Sequence, residues 1–129
     1  MITGLGTDIV ATETFGQTSD GPFVYRIFTA EEIAFCTNGM QPQREKLAGR
    51  YAAKEAFIKA MGPNLFFPVS IDDYRCIEVK SLPTGAPEIH LSGRMLKSYE
   101  DTGADRIWIS ISHEPEYAVA TVILEKNNV

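Results

Sequence analysis

The stretch from Gln43 to Met61 holds no proline and stops at Gly62-Pro63. Glycine accepts the conformation that ends a helix, and proline cannot extend one. Leu47, Tyr51, Ile58 and Met61 recur along it at helical spacing. The spacing predicts one long helix over 43–61, about 28 Å from end to end. Any fold for a chain of 129 residues has to be arranged around it.

The flanking segments predict shorter elements. Residues 2–10 read as a strand with Leu5 and Ile9 on one face and Ile2, Gly4, Gly6 and Asp8 on the other. Glycine inside a strand marks close approach of a ligand or of another backbone. Residues 11–25 are polar and turn-rich, with Gly16, Gly21 and Pro22, and read as a loop or short irregular helix. Thr29-Ala30-Glu31-Glu32 is a capping box opening a helix to about Cys36, and 37–43 is a break. Pro63, Phe66, Phe67 and Pro68 suggest an apolar loop tucked against the body. Residues 75–80 and 88–91 read as strands of a hairpin, and Ser92 as the cap of a helix ending near Gly103. Strands containing Ile107, Ile109 and Ile111, then 117–124, close the chain through a tight return at 112–116, and the tail 125–129 reads as frayed. This order implies a single α+β domain over 1–129.

On a helical wheel starting at Leu47, Glu55 falls near 80° and Lys59 near 120°, at about 100° per residue. Ala48 and Ala52 fall beside them, making a shallow face that another element or a ligand could approach. Two readings stand: a solvated i,i+4 ion pair, or an acid and a base at a site. Lys54 falls between the apolar residues and must snorkel, pair or touch an anion. Asp8 either closes its strand or joins Glu55 in a two-carboxylate site. Such a pair suits Mg²⁺, which takes its remaining ligands from phosphates and water. His113 reads either as a turn residue or as an anion contact alongside Arg50. His90 is expected on an exposed strand face with no role, and Trp108 in packing.

Composition removes several classes. Twelve Lys and Arg against 17 Asp and Glu give a net charge of -5, which argues against a general nucleic-acid binder. Cys36 and Cys76 form neither a disulfide framework nor a zinc pair, so free thiols in a reducing cytoplasm are expected. No signal peptide, membrane span or common nucleotide-binding fingerprint is read.

Four segments together carry a resemblance. They are Gly4-Leu5-Gly6-Thr7-Asp8-Ile9-Val10, the helix run 47–59 (LAGRYAAKEAFIK), Thr84-Gly85-Ala86-Pro87, and Ser110-Ile111-Ser112-His113 leading to Tyr117-Ala118-Val119-Ala120. In this order and spacing the chain resembles the bacterial holo-acyl-carrier-protein synthases, the small class of 4′-phosphopantetheinyl transferases. The resemblance implies a small mixed domain with a predominantly antiparallel sheet on a long central helix. It implies transfer of phosphopantetheine from coenzyme A to a serine of apo acyl carrier protein, leaving adenosine 3′,5′-bisphosphate, in fatty acid or polyketide synthesis. Asp8 and Glu55 would hold Mg²⁺. Arg50, Lys59 and His113 would contact CoA phosphates, with Ser112 beside them and Gly85 and Pro87 shaping the adenine side. The catalytic base would be Glu55 acting through a water, with Lys59 as the rival. The resemblance also implies a cytoplasmic homotrimer with sites between subunits.

One segment departs from the family pattern. Relatives carry arginines after the first strand to grip an acidic carrier, whereas 11–25 contains no Lys or Arg. Arg26 and Arg44 are the alternatives for that contact. The competing readings are a CoA-binding module without catalysis and a metal-dependent phosphohydrolase.

Overall fold

The computed structural model describes residues 1–16, 22–39 and 41–127. The turn expected at Gly21 and the last two residues of the tail lie outside them.

Strand β1 spans Ile2–Ala11 and leads into a 3-10 turn, Thr12–Phe15. Helices α1 (Pro22–Ile27) and α2 (Ala30–Phe35) follow, then a short ladder of β2 (Thr37–Asn38) and β3 (Gln41–Pro42). Helix α2 starts as its sequence dictates: Thr29 Oγ1 accepts from the Glu32 N–H, and Glu32 accepts from the Thr29 N–H. The long helix α3 runs Arg44–Met61 and ends at Gly62, whose φ of 48° is open to glycine. Beyond a 3-10 segment at Ile71–Cys76 come β4 (Ile77–Ser81), β5 (Pro87–Leu91), α4 (Gly93–Asp101), β6 (Arg106–His113) and β7 (Tyr117–Glu125).

Three expectations are corrected. The strand expected from Arg75 starts at Ile77, because the Ser70 N–H bonds Asp73 Oδ2 at 2.8 Å and winds 71–76 into a 3-10 turn. Phe66 is 88% exposed, so the loop after α3 is only partly tucked in. Ser92 stands at the start of α4 without a side-chain capping bond.

The main sheet has the order β1-β7-β6, all antiparallel, while β4 and β5 form a separate hairpin. The register puts Gly4, Gly6, Asp8 and Val10 on one face with Leu124, Val122, Ala120 and Ala118. This face packs on α3. The glycines decide how closely: a Cβ on Gly4 or Gly6 would run into the carbonyl oxygens of Ala60 and Ala56. The close approach read from Gly-x-Gly is therefore to a helix backbone. Ala48, Ala52, Ala56 and Ala60 are buried along α3 and make the same seam shallow from the helix side.

Lys54 lies inside this core with no exposed surface, and it pairs. Its ammonium donates to Glu32 Oε1 at 2.8 Å and to the carbonyls of Tyr74 at 2.8 Å and Ile77 at 2.6 Å. Glu32 Oε2 also accepts from the Val79 N–H at 2.9 Å. One buried ion pair thus ties α2, α3 and the start of β4 together, with all three ammonium donors satisfied.

Candidate functional site

Asp8 reaches α3 because the two glycines before it let β1 lie flat on the helix. Its carboxylate, 17% exposed, accepts from Lys59 Nζ at 2.7 Å. The same ammonium donates to the Thr7 carbonyl at 3.2 Å. Of the two readings of Glu55 and Lys59, the i,i+4 ion pair is not the contact formed; Lys59 crosses to the strand. Glu55, one turn earlier on α3, accepts from the Tyr74 hydroxyl at 2.8 Å. Tyr51 stacks on Tyr74 with ring centroids 5.8 Å apart. Burial first, and then the Glu55 carboxylate, push both phenols well above their ordinary range, so they stay protonated as donors. The Asp8 contact raises the Lys59 ammonium and keeps it charged at neutral pH.

A second cluster lies toward the start of α3. Arg50 is 6% exposed. Its guanidinium stacks 3.9 Å from the Phe35 ring centroid and donates to Ser81 Oγ at 2.8 Å. Burial lowers its pKa, yet a guanidinium remains charged in any protein site. Arg50 Nε is buried with no hydrogen-bond partner, an unsatisfied donor of the kind that a buried anion satisfies. The cleft beside it, about 180 Å³, is lined by Lys46, Gly49, Gly85, Pro87 and His113 among others. Gly49 lets β6 approach: a Cβ there would touch Ile111 Cγ2 at 2.9 Å. His113 at the strand end turns Nδ1 toward Glu45 Oε2 at 2.8 Å. Gly85 at φ 91° makes the β4–β5 turn that brings Pro87 to the cleft.

The fold thus gathers Arg50, Gly85, Pro87 and His113 in one place, and Asp8, Glu55 and Lys59 in another along the same helix. Ser112 meets the first group only at His113. Alternation along β6 puts it on the outer sheet face, opposite Val119, in a shallow depression with Ile9, Tyr117 and His113, the last bordering the Arg50 cleft as well. His90 is exposed on Glu88, at 2.6 Å, as expected. A larger open concavity, about 510 Å³, lies near Met1, Asp105 and Lys126 and holds none of these groups.

The sequence reading missed Tyr74, Phe35, Lys46 and Ser81. Tyr51 was legible only as packing, although its i,i+4 spacing to Glu55 was a usable signal. Nothing local marked Tyr74.

Two carboxylates and no thiolate or imidazole make a hard-oxygen donor set. Among the described residues no group of three or more His, Cys, Asp or Glu gathers. A metal here would have to share its shell with substrate oxygens and water, which is the habit of Mg²⁺.

Residues 4–122 match the 4′-phosphopantetheinyl transferase superfamily. A holo-[acyl-carrier-protein] synthase of Alteromonas mediterranea is 44% identical, with 96% of this chain and 97% of that protein aligned. The crystal structure of holo-[acyl-carrier-protein] synthase from Neisseria meningitidis superposes with a TM-score of 0.80 at 33% identity, covering 98% of this chain and 100% of that one. The holo-(acyl-carrier-protein) synthase of Bacillus anthracis in complex with CoA (3′,5′-ADP) gives 0.75 at 34% identity, covering 98% and 99%. This chain belongs to the 4′-phosphopantetheinyl transferase superfamily, and within it to the holo-[acyl-carrier-protein] synthase family.

Proposed function

We propose that this protein transfers 4′-phosphopantetheine from coenzyme A to a serine of apo acyl carrier protein, releasing adenosine 3′,5′-bisphosphate. The observation that carries this reading is the pairing, on one helix, of a carboxylate cluster with a cationic cleft. Arg50 and Glu55 are five residues apart, a rise of about 7.5 Å along the axis. They also stand about 140° apart around it, so only a ligand long enough to pass between two sides of the helix, one part held by cations and the reacting part beside acids, meets both.

Asp8 and Glu55 fit Mg²⁺ by donor type, and we assign them to it. When bound, the metal would neutralise charge on the diphosphate oxygens and favour departure of the nucleotide. Arg50 and His113 bind the phosphates of the nucleotide portion, with Gly85 and Pro87 walling the adenine side. Lys59, an exposed ammonium charged at neutral pH, leaves Asp8 to meet a phosphoryl oxygen. The serine oxygen forms the new bond to the pantetheine phosphorus while the bridging P–O bond breaks, and the serine proton leaves. Lys59 is a poor receiver for that proton because an exposed lysine is already protonated at neutral pH. Glu55, acting through a water, takes it.

The outer sheet face supports a homotrimer. Leu5 is 64% and Ile9 65% exposed there, beside Trp108, Tyr117 and Val119. Apolar residues grouped on one sheet face mark a contact surface. Ser112 lies on that same face, so a neighbouring subunit would bring it to a site its own chain turns away from. Sedimentation at a monomer mass across micromolar concentrations would refute this.

For the acceptor, both arginines suggested by the sequence are already in ion pairs. Arg26 meets Asp72 at 3.4 Å and Arg44 meets Glu13 at 3.2 Å. Both pairs are exposed and exchange at little cost, so charge in the docking contact rests on these two arginines, with none supplied from 11–25. Both cysteines are free, and no helix of the described residues is long and apolar enough to cross a membrane; we place the enzyme in the cytoplasm.

The test is intact-mass analysis of apo acyl carrier protein incubated with CoA, Mg²⁺ and the enzyme. A gain of the phosphopantetheine arm, lost on chelation, is expected. Release of adenosine 3′,5′-bisphosphate without carrier would overturn the reading in favour of a hydrolase.

A further inference from the structure

Lys54 and Glu55 are neighbours in the sequence, and both end on Tyr74. The Lys54 ammonium donates to the Tyr74 carbonyl at 2.8 Å, and the Tyr74 hydroxyl donates to Glu55 Oε1 at 2.8 Å. Tyr74 is thus held at its backbone by one residue of α3 and holds the side chain of the next. Its ring lies 14° from parallel to Tyr51, so packing fixes the rotamer. The 3-10 turn that carries it is pinned from the far side. Asp73 takes two bonds from Arg94, each 2.7 Å, and one from the Ser70 N–H.

We propose that Tyr74 is a positioning residue for the transfer reaction: its hydroxyl fixes the Glu55 carboxylate in one orientation, and Lys54 sets the reach of that hydroxyl by holding the Tyr74 carbonyl. The inference rests on Glu55 being a site carboxylate, as proposed above. A glutamate on a half-exposed helix face otherwise samples several rotamers. Ordering it during the reaction would cost rate that a preset orientation keeps. A hydroxyl bonded to a carboxylate is a strong enough tether, because the acceptor is charged.

Tyr74→Phe removes the hydroxyl and keeps the ring on Tyr51. We would compare the whole enzyme, Tyr74→Phe, Glu55→Gln and the double variant. The readouts are kcat and KM for CoA by mass-detected transfer, and Mn²⁺ affinity in the presence of CoA from the paramagnetic resonance signal of free ion. Tyr74→Phe is expected to lose about tenfold in kcat, the scale of one bond to a charged group, with KM for CoA unchanged. Its Mn²⁺ affinity should weaken, and the double variant should bind Mn²⁺ no worse than Glu55→Gln alone. Wild-type kcat and Mn²⁺ affinity in Tyr74→Phe would overturn the proposal. So would a lowered melting temperature with losses that simply add in the double variant, since that is a structural role. Should Glu55→Gln alone behave as wild type in both readouts, the assignment of Glu55 itself fails, and the single variant shows which of the two ideas was wrong.

Discussion

Helix α3 carries two lysines that each meet a carboxylate from another element, and the two pairs differ in almost every respect. Lys54 and Glu32 have no exposed side-chain surface, and each makes further bonds to backbone groups. Lys59 is 54% exposed, and Asp8 stands at the rim of the sheet. Burial lowers the Lys54 pKa, while the Asp8 contact raises that of Lys59. A buried pair in low dielectric is fixed because neither partner can be left alone. An exposed pair exchanges partners at little cost, which is what a site needs when a polyanionic ligand arrives. The first pair builds the scaffold, and the second waits for substrate.

The largest effect expected from this contrast comes at Lys54. Lys54→Met leaves Glu32 charged and buried and strips a donor from two carbonyls. It should cost about 3–5 kcal/mol of stability, read by chemical denaturation. Pairing it with Glu32→Gln should restore part of that loss. A Lys54→Met that unfolds like wild type would erase the distinction between the two pairs.

Lys59→Met is expected to do the reverse. The denaturation midpoint should stay where it is, while transfer falls by about ten- to a hundredfold, the range for losing a charged contact to phosphate. Loss of stability without loss of rate would make Lys59 a second scaffold lysine.

A smaller effect concerns acid. Arg94, through its bonds to the Asp73 carboxyl, holds it below the ordinary carboxylate range. For a depressed acid, the stabilisation is present above the unfolded pKa and fades as pH falls through the folded one. Arg94→Met should therefore begin to unfold at higher pH than wild type in an acid titration followed by circular dichroism. Identical acid transitions would show that the 3-10 turn under Tyr74 does not depend on this pair.

The smallest effect is expected from salt. Because 11–25 supplies no Lys or Arg to the carrier contact, KM for the carrier should change little between low and physiological ionic strength. A steep rise would show that Arg26 and Arg44 leave their acids to hold the carrier.

How much of this was legible in the sequence depends on range. Helix α3, the capping box of α2 and strand β1 follow from spacing and terminators within a few residues of each element. Lys54 could be seen as an anomaly on its wheel, but its partner Glu32 lies 22 residues away in another helix. Periodicity gives the face a side chain occupies and says nothing of what lies opposite. The same gap hid Tyr74, whose 3-10 turn has no apolar period, and it left Gly4 and Gly6 undecided between ligand and backbone. It also left open which surface Ser112 serves. One step along a strand turns a side chain to the other face, so Ser112 faces outward while His113, at the strand end, borders both surfaces.

The exposed end of this arrangement does chemistry which the buried end only supports. Intact-mass analysis of apo carrier with Glu55→Gln, alongside its thermal melt, tests this most directly. A wild-type melt is expected, with little or no phosphopantetheine added in the time the wild type takes to complete. Full modification by a normally folded Glu55→Gln would contradict it.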